Sequence, residues 1–225
     1  MASRPVFVPR PASMVAVEIV EFKWHAGLSI AQKQRSVEEL HAAARAVLKV
    51  RSVLEVSSKS RDRLGVALSA FNLTFGSPPL TVECAFQGSK VFRDGGPFND
   101  LFSKVPREAK RDQRLRNSGP LTSFVFDGRQ WPTEPKTVFY DWIYVSALQR
   151  HHDLADGVRK YDAFTDIEFN PEKSFNCQAR SVALYVSLLQ SGLLEQATSS
   201  PDAFLELFGK PALPSPQAAK QGELF

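Results

Sequence analysis

Cysteine is scarce in this chain. Only Cys84 and Cys177 occur among 225 residues, and neither stands at the spacing of a redox motif or a zinc site, which excludes a disulfide scaffold and points to a reduced cytoplasm. No apolar run approaches the roughly 20 residues that a membrane-spanning helix needs. The opening segment carries Pro5 and Pro9 and lacks a long apolar core, so it does not read as a secretory leader. The histidines, His25, His41, His151 and His152, show no zinc spacing, and the adjacent pair reads as a helix end facing solvent. Neither a metal nor a cofactor is expected. Internal repeats and linkers are absent too.

The length suits one substantial domain and is short for two. Residues 1–209 are expected to form it, and the Pro-, Gln- and Ala-rich stretch 210–225 to be a flexible tail. The formal net charge is small, +4, with an isoelectric point near 9.1. What matters is its distribution: Lys104, Arg107, Lys110, Arg111, Arg114 and Arg116 lie close together, against only Glu108 and Asp112. Such a cluster fits a phosphate backbone or a pyrophosphate, with Lys104, Arg111 and Arg114 as candidate contacts; it is equally the pattern of a solvated helix and loop. Few aromatics interrupt it, so it is not a stacking platform for single strands.

Hydrophobic periodicity places a strand over 14–22 and a helix from the N-cap Ser29 to about Val50, with Ile30, Val37, Leu40, Ala44 and Val47 or Leu48 inward. A second strand spans 52–57. Short helices are expected between Phe98 and Leu115, a strand over 122–126 with a turn at Asp127-Gly128, an aromatic helix over 137–148, a strand over 163–169 and a helix over 176–190. The mixture predicts an α+β fold, several helices around a small irregular sheet.

Two segments carry the chemistry. The first reads Leu64-Gly65-Val66-Ala67-Leu68-Ser69-Ala70-Phe71-Asn72-Leu73; the second reads Val82-Glu83-Cys84-Ala85-Phe86-Gln87-Gly88-Ser89-Lys90-Val91-Phe92. If the second is helical throughout, Glu83, Gln87 and Lys90 fall at i, i+4 and i+7 and share one stripe. A carboxylate, an amide and an amine on one buried face are costly unless they meet each other or a ligand. On a solvated face the same spacing would mean only a helical side-chain pair.

In this order and separation the two segments resemble the NADAR domain, a family of N-glycoside hydrolases, and most closely the branch found beside DarT-type toxins, which attach ADP-ribose to DNA bases. The resemblance covers most of Ser52 to Phe208. It implies Glu83 as acid or base and Lys90 as its partner, with Ser69, Phe71, Asn72 and Gln87 holding the substrate. Asp141-Trp142 is similar to the family's Asp-Trp element, with Trp142 as a stacking ring. Lys173 to Gln178 is similar to a Lys-Phe-x-Gln helix start that brings Asn176 to the site. The family places an aspartate before Trp-Gly where Asp202 stands, but Ala203-Phe204 follows it here, and Asp166 is the rival for that role.

The function this implies is an antitoxin that hydrolyses ADP-ribose from guanine in DNA, with ADP-ribosylated DNA or ADP-ribose as ligand, a DarT-type toxin as partner and no membrane. Lys90 could keep Glu83 ionised, orient the ribose or attack the anomeric carbon as a Schiff-base nucleophile. The alternatives are hydrolysis of riboflavin-pathway ribosylamino-pyrimidine phosphates and a non-catalytic module that binds ADP-ribose or the toxin.

Overall fold

Alternate residues of the first two strands feed two different cores. In the computed structural model, which describes residues 1–209, β1 (Ala2–Arg10) pairs antiparallel with β2 (Met14–Phe22) from end to end. Val6 and Val8 pack under one helix, and Phe7 points through to the larger core on the other face. Pro5 and Pro9 hide β1 from periodicity arguments, since proline cannot donate to a ladder. The strand tolerates them because β9 (Ala163–Thr165) meets it only at Phe7↔Phe164. β3 (Val53–Glu55) completes the sheet parallel to β9, giving the order β2-β1-β9-β3.

The helix over the first face is α1 (Ile30–Leu48), opened by a capping box in which Ser29 Oγ accepts from Gln32 N at 3.2 Å. Val37, Leu40 and Ala44 bury as expected. Ile30 and Val47 do not, at 58% and 65% exposed, because α1 meets the sheet through its middle turns.

The remaining elements, in chain order, are α2 (Arg63–Ala67), the short pair β4 (Thr74–Phe75) and β5 (Leu80–Thr81), α3 (Val82–Gly88), β6 (Lys90–Phe92), a 3-10 turn over Asn99–Ser103, α4 (Pro106–Ala109), α5 (Arg114–Asn117), β7 (Leu121–Phe126), β8 (Arg129–Trp131), α6 (Val138–Gln149), α7 (His152–Val158), α8 (Gln178–Gln190), α9 (Leu194–Ser199) and α10 (Pro201–Phe208). β6, β7 and β8 make a second, antiparallel sheet, closed at Asp127 and Gly128 by two positive φ angles of 51° and 71°. That is the primed turn expected from Asp-Gly. The architecture is a single α+β body, as the sequence pattern predicts.

Several boundaries differ from the sequence reading, among them β3, which covers only Val53–Glu55 of the expected 52–57. Helix α3 stops at Gly88 instead of running to Lys90, since the next residues join a sheet, with Lys90 opposite Phe124. β9 ends at Thr165 because Asp166 Oδ1 accepts from Glu168 N at 3.0 Å and turns the chain. α8 begins at Gln178, so Asn176 lies just outside it. His151 is not at a solvated end either: its Nε2 meets Thr74 O at 2.7 Å. The tail expected over 210–225 lies outside the described residues. No described helix is long and apolar enough to cross a membrane.

Candidate active site

The catalytic candidates are brought together by backbone contacts around Leu68 to Leu73. Glu83 N donates to Ala70 O and Val82 N to Leu73 O, both at 2.9 Å, which docks the start of α3 onto this loop. Gln178 Oε1 accepts from Ala70 N at 2.8 Å while its Nε2 donates to Val56 O at 2.6 Å. One amide thus staples the loop, the exit of β3 and the start of α8. Gly65 explains its place in the motif: a Cβ there would come 2.0 Å from Glu55 O, so only glycine lets α2 lie directly on β3.

Between these elements opens a cavity of about 830 Å³, within the size range of small-molecule sites. Glu83, Gln87, Lys90, Ser69, Phe71, Asp166 and Asn176 all line it. The expected stripe exists as a hydrogen-bonded chain, although Lys90 reaches it from a strand. Gln87 Nε2 donates to Glu83 Oε1 at 2.9 Å, and Lys90 Nζ donates to Gln87 Oε1 at 2.7 Å. The Lys90 amine also lies 4.5 Å above the Phe86 ring. Burial pushes it down to about 8, with Glu83 opposing and Lys110 adding to the shift.

Asp166 is buried at the end of β9. Desolvation pushes its carboxyl up to about 7, against the pull of the Glu168 N–H, Lys110 and Gln178. Asn176 Oδ1 is buried and, among the described residues, has no hydrogen-bond partner. A lone acceptor on a cavity wall is ready for a ligand N–H or O–H.

Other expected residues lie elsewhere. Asn72 Nδ2 donates to Val66 O at 2.8 Å and serves the turn that carries Ser69. Trp142 packs against Trp131 and Phe204, at 5.6 and 5.5 Å between ring centres, and borders a separate cavity of about 260 Å³. Its neighbour Asp141 is a core residue, paired with Arg180 and receiving Ser181 Oγ at 2.7 Å. Asp202 pairs with Arg129 and is 72% exposed, and it does not line the cavity that Asp166 lines.

The basic cluster divides between the surface and the cavity. Arg114 is held by Asp100 at 2.7 Å and Asp112 at 2.9 Å. Lys104 and Arg111 are exposed and do not line the cavity. The member that reaches in is Lys110, with Nζ 3.7 Å from Glu83 Oε1 and 5.2 Å from the Phe71 ring centre. At the mouth, Lys136 lies 3.8 Å over the exposed ring of Phe175.

Sequence reasoning also missed Glu55, Ser57 and Tyr140. Ser57 and Tyr140 line the cavity, and Glu55 lies buried behind Ser57. The polar end of the second strand was the available signal, but nothing in the pattern marks Glu55 as inward.

An α+β domain whose cleft is walled by this carboxylate–amide–amine chain is a NADAR-type domain. The chain belongs to the DarT1-associated NADAR antitoxin family, whose model matches residues 2–218. The match includes the N-terminal strands, to which the sequence resemblance did not extend. Comparison with curated proteins finds no match.

Proposed function

We propose that this protein is an antitoxin N-glycosidase that releases ADP-ribose from guanine in DNA. The observation that carries the reading is the chain Glu83–Gln87–Lys90, facing Asp166 across one cavity. The family supports the antitoxin role, and the residues support the chemistry.

Breaking an N-glycosidic bond requires a proton for the departing nitrogen and a partner for the electron-poor anomeric carbon. Asp166, whose carboxyl stays protonated until about pH 7, supplies the proton. Lys90, neutral above about 8, attacks the anomeric carbon as the carbon–nitrogen bond breaks. Glu83 removes a proton from the new nitrogen bond, the sugar ring opens with its oxygen protonated, and the product is an imine on Lys90. Water then adds to the imine carbon, and its cleavage restores the free amine and ADP-ribose. The sum is one water consumed per bond cleaved.

Around this centre Ser69 and Asn176 hold sugar or base edges, Phe71 and Phe86 offer apolar walls, and Lys110 and Lys136 meet the pyrophosphate. A DNA oligonucleotide carrying ADP-ribosyl-guanine, incubated with the protein, is expected to lose its ADP-ribose, and Glu83→Gln is expected to retain it. Retained label with the wild type overturns the assignment. Release from ribosylamino-pyrimidine phosphates instead would transfer the chemistry to the smaller substrate. Toxin neutralisation by Glu83→Gln as effective as that by the wild type would favour the binding module.

A further inference from the structure

Behind the cavity wall lies a third buried carboxyl, which the proposed chemistry leaves idle. Glu55, the last residue of β3, is 2% exposed and makes three hydrogen bonds. Its Oε1 accepts from Ser57 Oγ at 2.6 Å and from Ile167 N at 2.8 Å, and its Oε2 accepts from Thr165 Oγ1 at 2.7 Å. Thr165 Oγ1 in turn meets His41 Nε2 of α1 at 2.8 Å. Two of these partners, Thr165 and Ile167, are the residues on either side of Asp166.

We propose that Glu55 is a positioning residue of the cleft: its buried carboxyl grips the chain on both sides of Asp166 and fixes where the Asp166 carboxyl meets the substrate. A core carboxylate kept only for stability would be hard to account for, since burying an acid beside a second acid is costly. Here the cost has a use. Ser57 reaches the cavity wall and joins the same carboxyl, so both lips of the cleft, the exit of β3 and the exit of β9, are tied to one group.

The arrangement also has an electrical consequence. Burial and the nearby Asp166 push Glu55 up to about 8, against the three donors. The charged and titratable groups facing Asp166 are Glu55 from β3, Lys110 after α4, Glu168 from its own loop, Cys177 ahead of α8, and Tyr140 and Tyr144 from α6. Of these, Glu55 is the acid that shares its interior. Burial pushes His41 down to about 4, with Arg45 adding to the shift, so it stays neutral at physiological pH and serves as the outer anchor of Thr165.

The test replaces Glu55 by Ala, which removes the grip, and by Gln, which keeps it. The amide keeps an acceptor for Ser57 and Ile167, and its NH2 can donate to Thr165, whose hydroxyl then turns to His41. Because Glu55 stays protonated up to about pH 8, the amide also matches its charge while Asp166 titrates. Carboxyl-carbon NMR of labelled aspartate, with the Asp166 resonance assigned by its loss in Asp166→Asn, reads the titration directly. The midpoint of Asp166 is expected to fall by about one pH unit in Glu55→Ala, as the freed chain lets water reach the carboxyl, and to keep its wild-type value in Glu55→Gln. Thr165→Val, which removes one of the two grips, is expected to move it the same way by less, and serves if Glu55→Ala does not fold. A midpoint unmoved in the folded grip-less variant, or moved equally in Glu55→Gln, overturns the proposal.

Asp166's role as the acid rests on the glycosidase reading, but the NMR titration does not: it needs no substrate, so a failed hydrolysis assay leaves it interpretable. Where hydrolysis is also measured, the lower break in its pH profile is expected to follow the Asp166 midpoint, while the upper break, set by Lys90, stays in place.

Discussion

Gln87 donates through Nε2 to Glu83 Oε1 at 2.9 Å, one helical turn apart on α3. Because a carboxylate only accepts and an ammonium only donates, the orientation of the amide between Glu83 and Lys90 is forced: nitrogen toward the acid, oxygen toward the amine. The amide therefore separates the two charges while coupling their positions. Replacing Gln87 by Glu keeps the size and reverses this logic, placing two carboxylates face to face. Turnover of ADP-ribosylated DNA is expected to drop by roughly a hundredfold or more, with folding checked by circular dichroism.

The nucleophile assignment predicts a trappable intermediate. Borohydride added during turnover is expected to fix the sugar on Lys90 as a secondary amine, seen by mass spectrometry on the peptide that contains it. Lys90→Arg removes the adduct, because guanidinium stays protonated. Turnover without any adduct would leave Lys90 as an orienting cation.

With Asp166 pushed up to about 7 and Lys90 down to about 8, the proposed mechanism runs on the form with a protonated acid and a neutral amine. Below pH 7 the acid is ready and the rate rises with pH as amine is uncovered. Between 7 and 8 the gain in amine offsets the loss of acid. Above 8 the amine is saturated and the rate falls as Asp166 ionises. A steady-state pH series is expected to show this bell, centred between about 7 and 8.

Stability follows the same two carboxyls. Glu55 and Asp166 have folded pKa values raised above 4.5 and 3.8, so the folded state holds protons that the unfolded chain has released. Their contribution is fully present below the unfolded values and is lost as pH rises through the folded ones. From pH 6.5 to 8 two groups oppose this loss, since the unfolded chain still binds part of a proton at His41, whose folded value is about 4, and folded Lys90 begins to release one at about 8, but the two acids outweigh them. Denaturant midpoints are expected to fall over that window in the wild type, and to fall less in Glu55→Gln.

Trp142 packs against the core, whereas Lys110 lines the cavity. Trp142→Ala, emptying the contact with Trp131 and Phe204, is expected to destabilise the fold by about 3–5 kcal/mol, with KM unchanged in the molecules that remain folded. Lys110→Gln is expected to raise KM for modified DNA and flatten its salt dependence, whereas Arg114→Gln leaves both unchanged because Arg114 is already neutralised by Asp100 and Asp112. Thermal melts and salt titrations check the two.

The α+β class, the Asp-Gly hairpin, the capped helix at Ser29 and the motif that brings Ser69, Glu83, Gln87 and Lys90 into one site are all legible in the order of residues. They rest on local rules, in which a few neighbours set a turn, a cap or a helical stripe. Other features depend on pairings between distant segments and emerge only in the folded chain. Lys90 changes from helix to strand because Phe124 and its neighbours offer it a sheet. Asp166 reaches the cavity and Asp202 does not, because β9 ends beside β3 while α10 lies across Arg129. Glu55 is invisible in the pattern, since a single acid at a strand end carries no mark of what will close over it. Burial and opposing charge are properties of the assembled neighbourhood, and at this site they set which groups hold their protons.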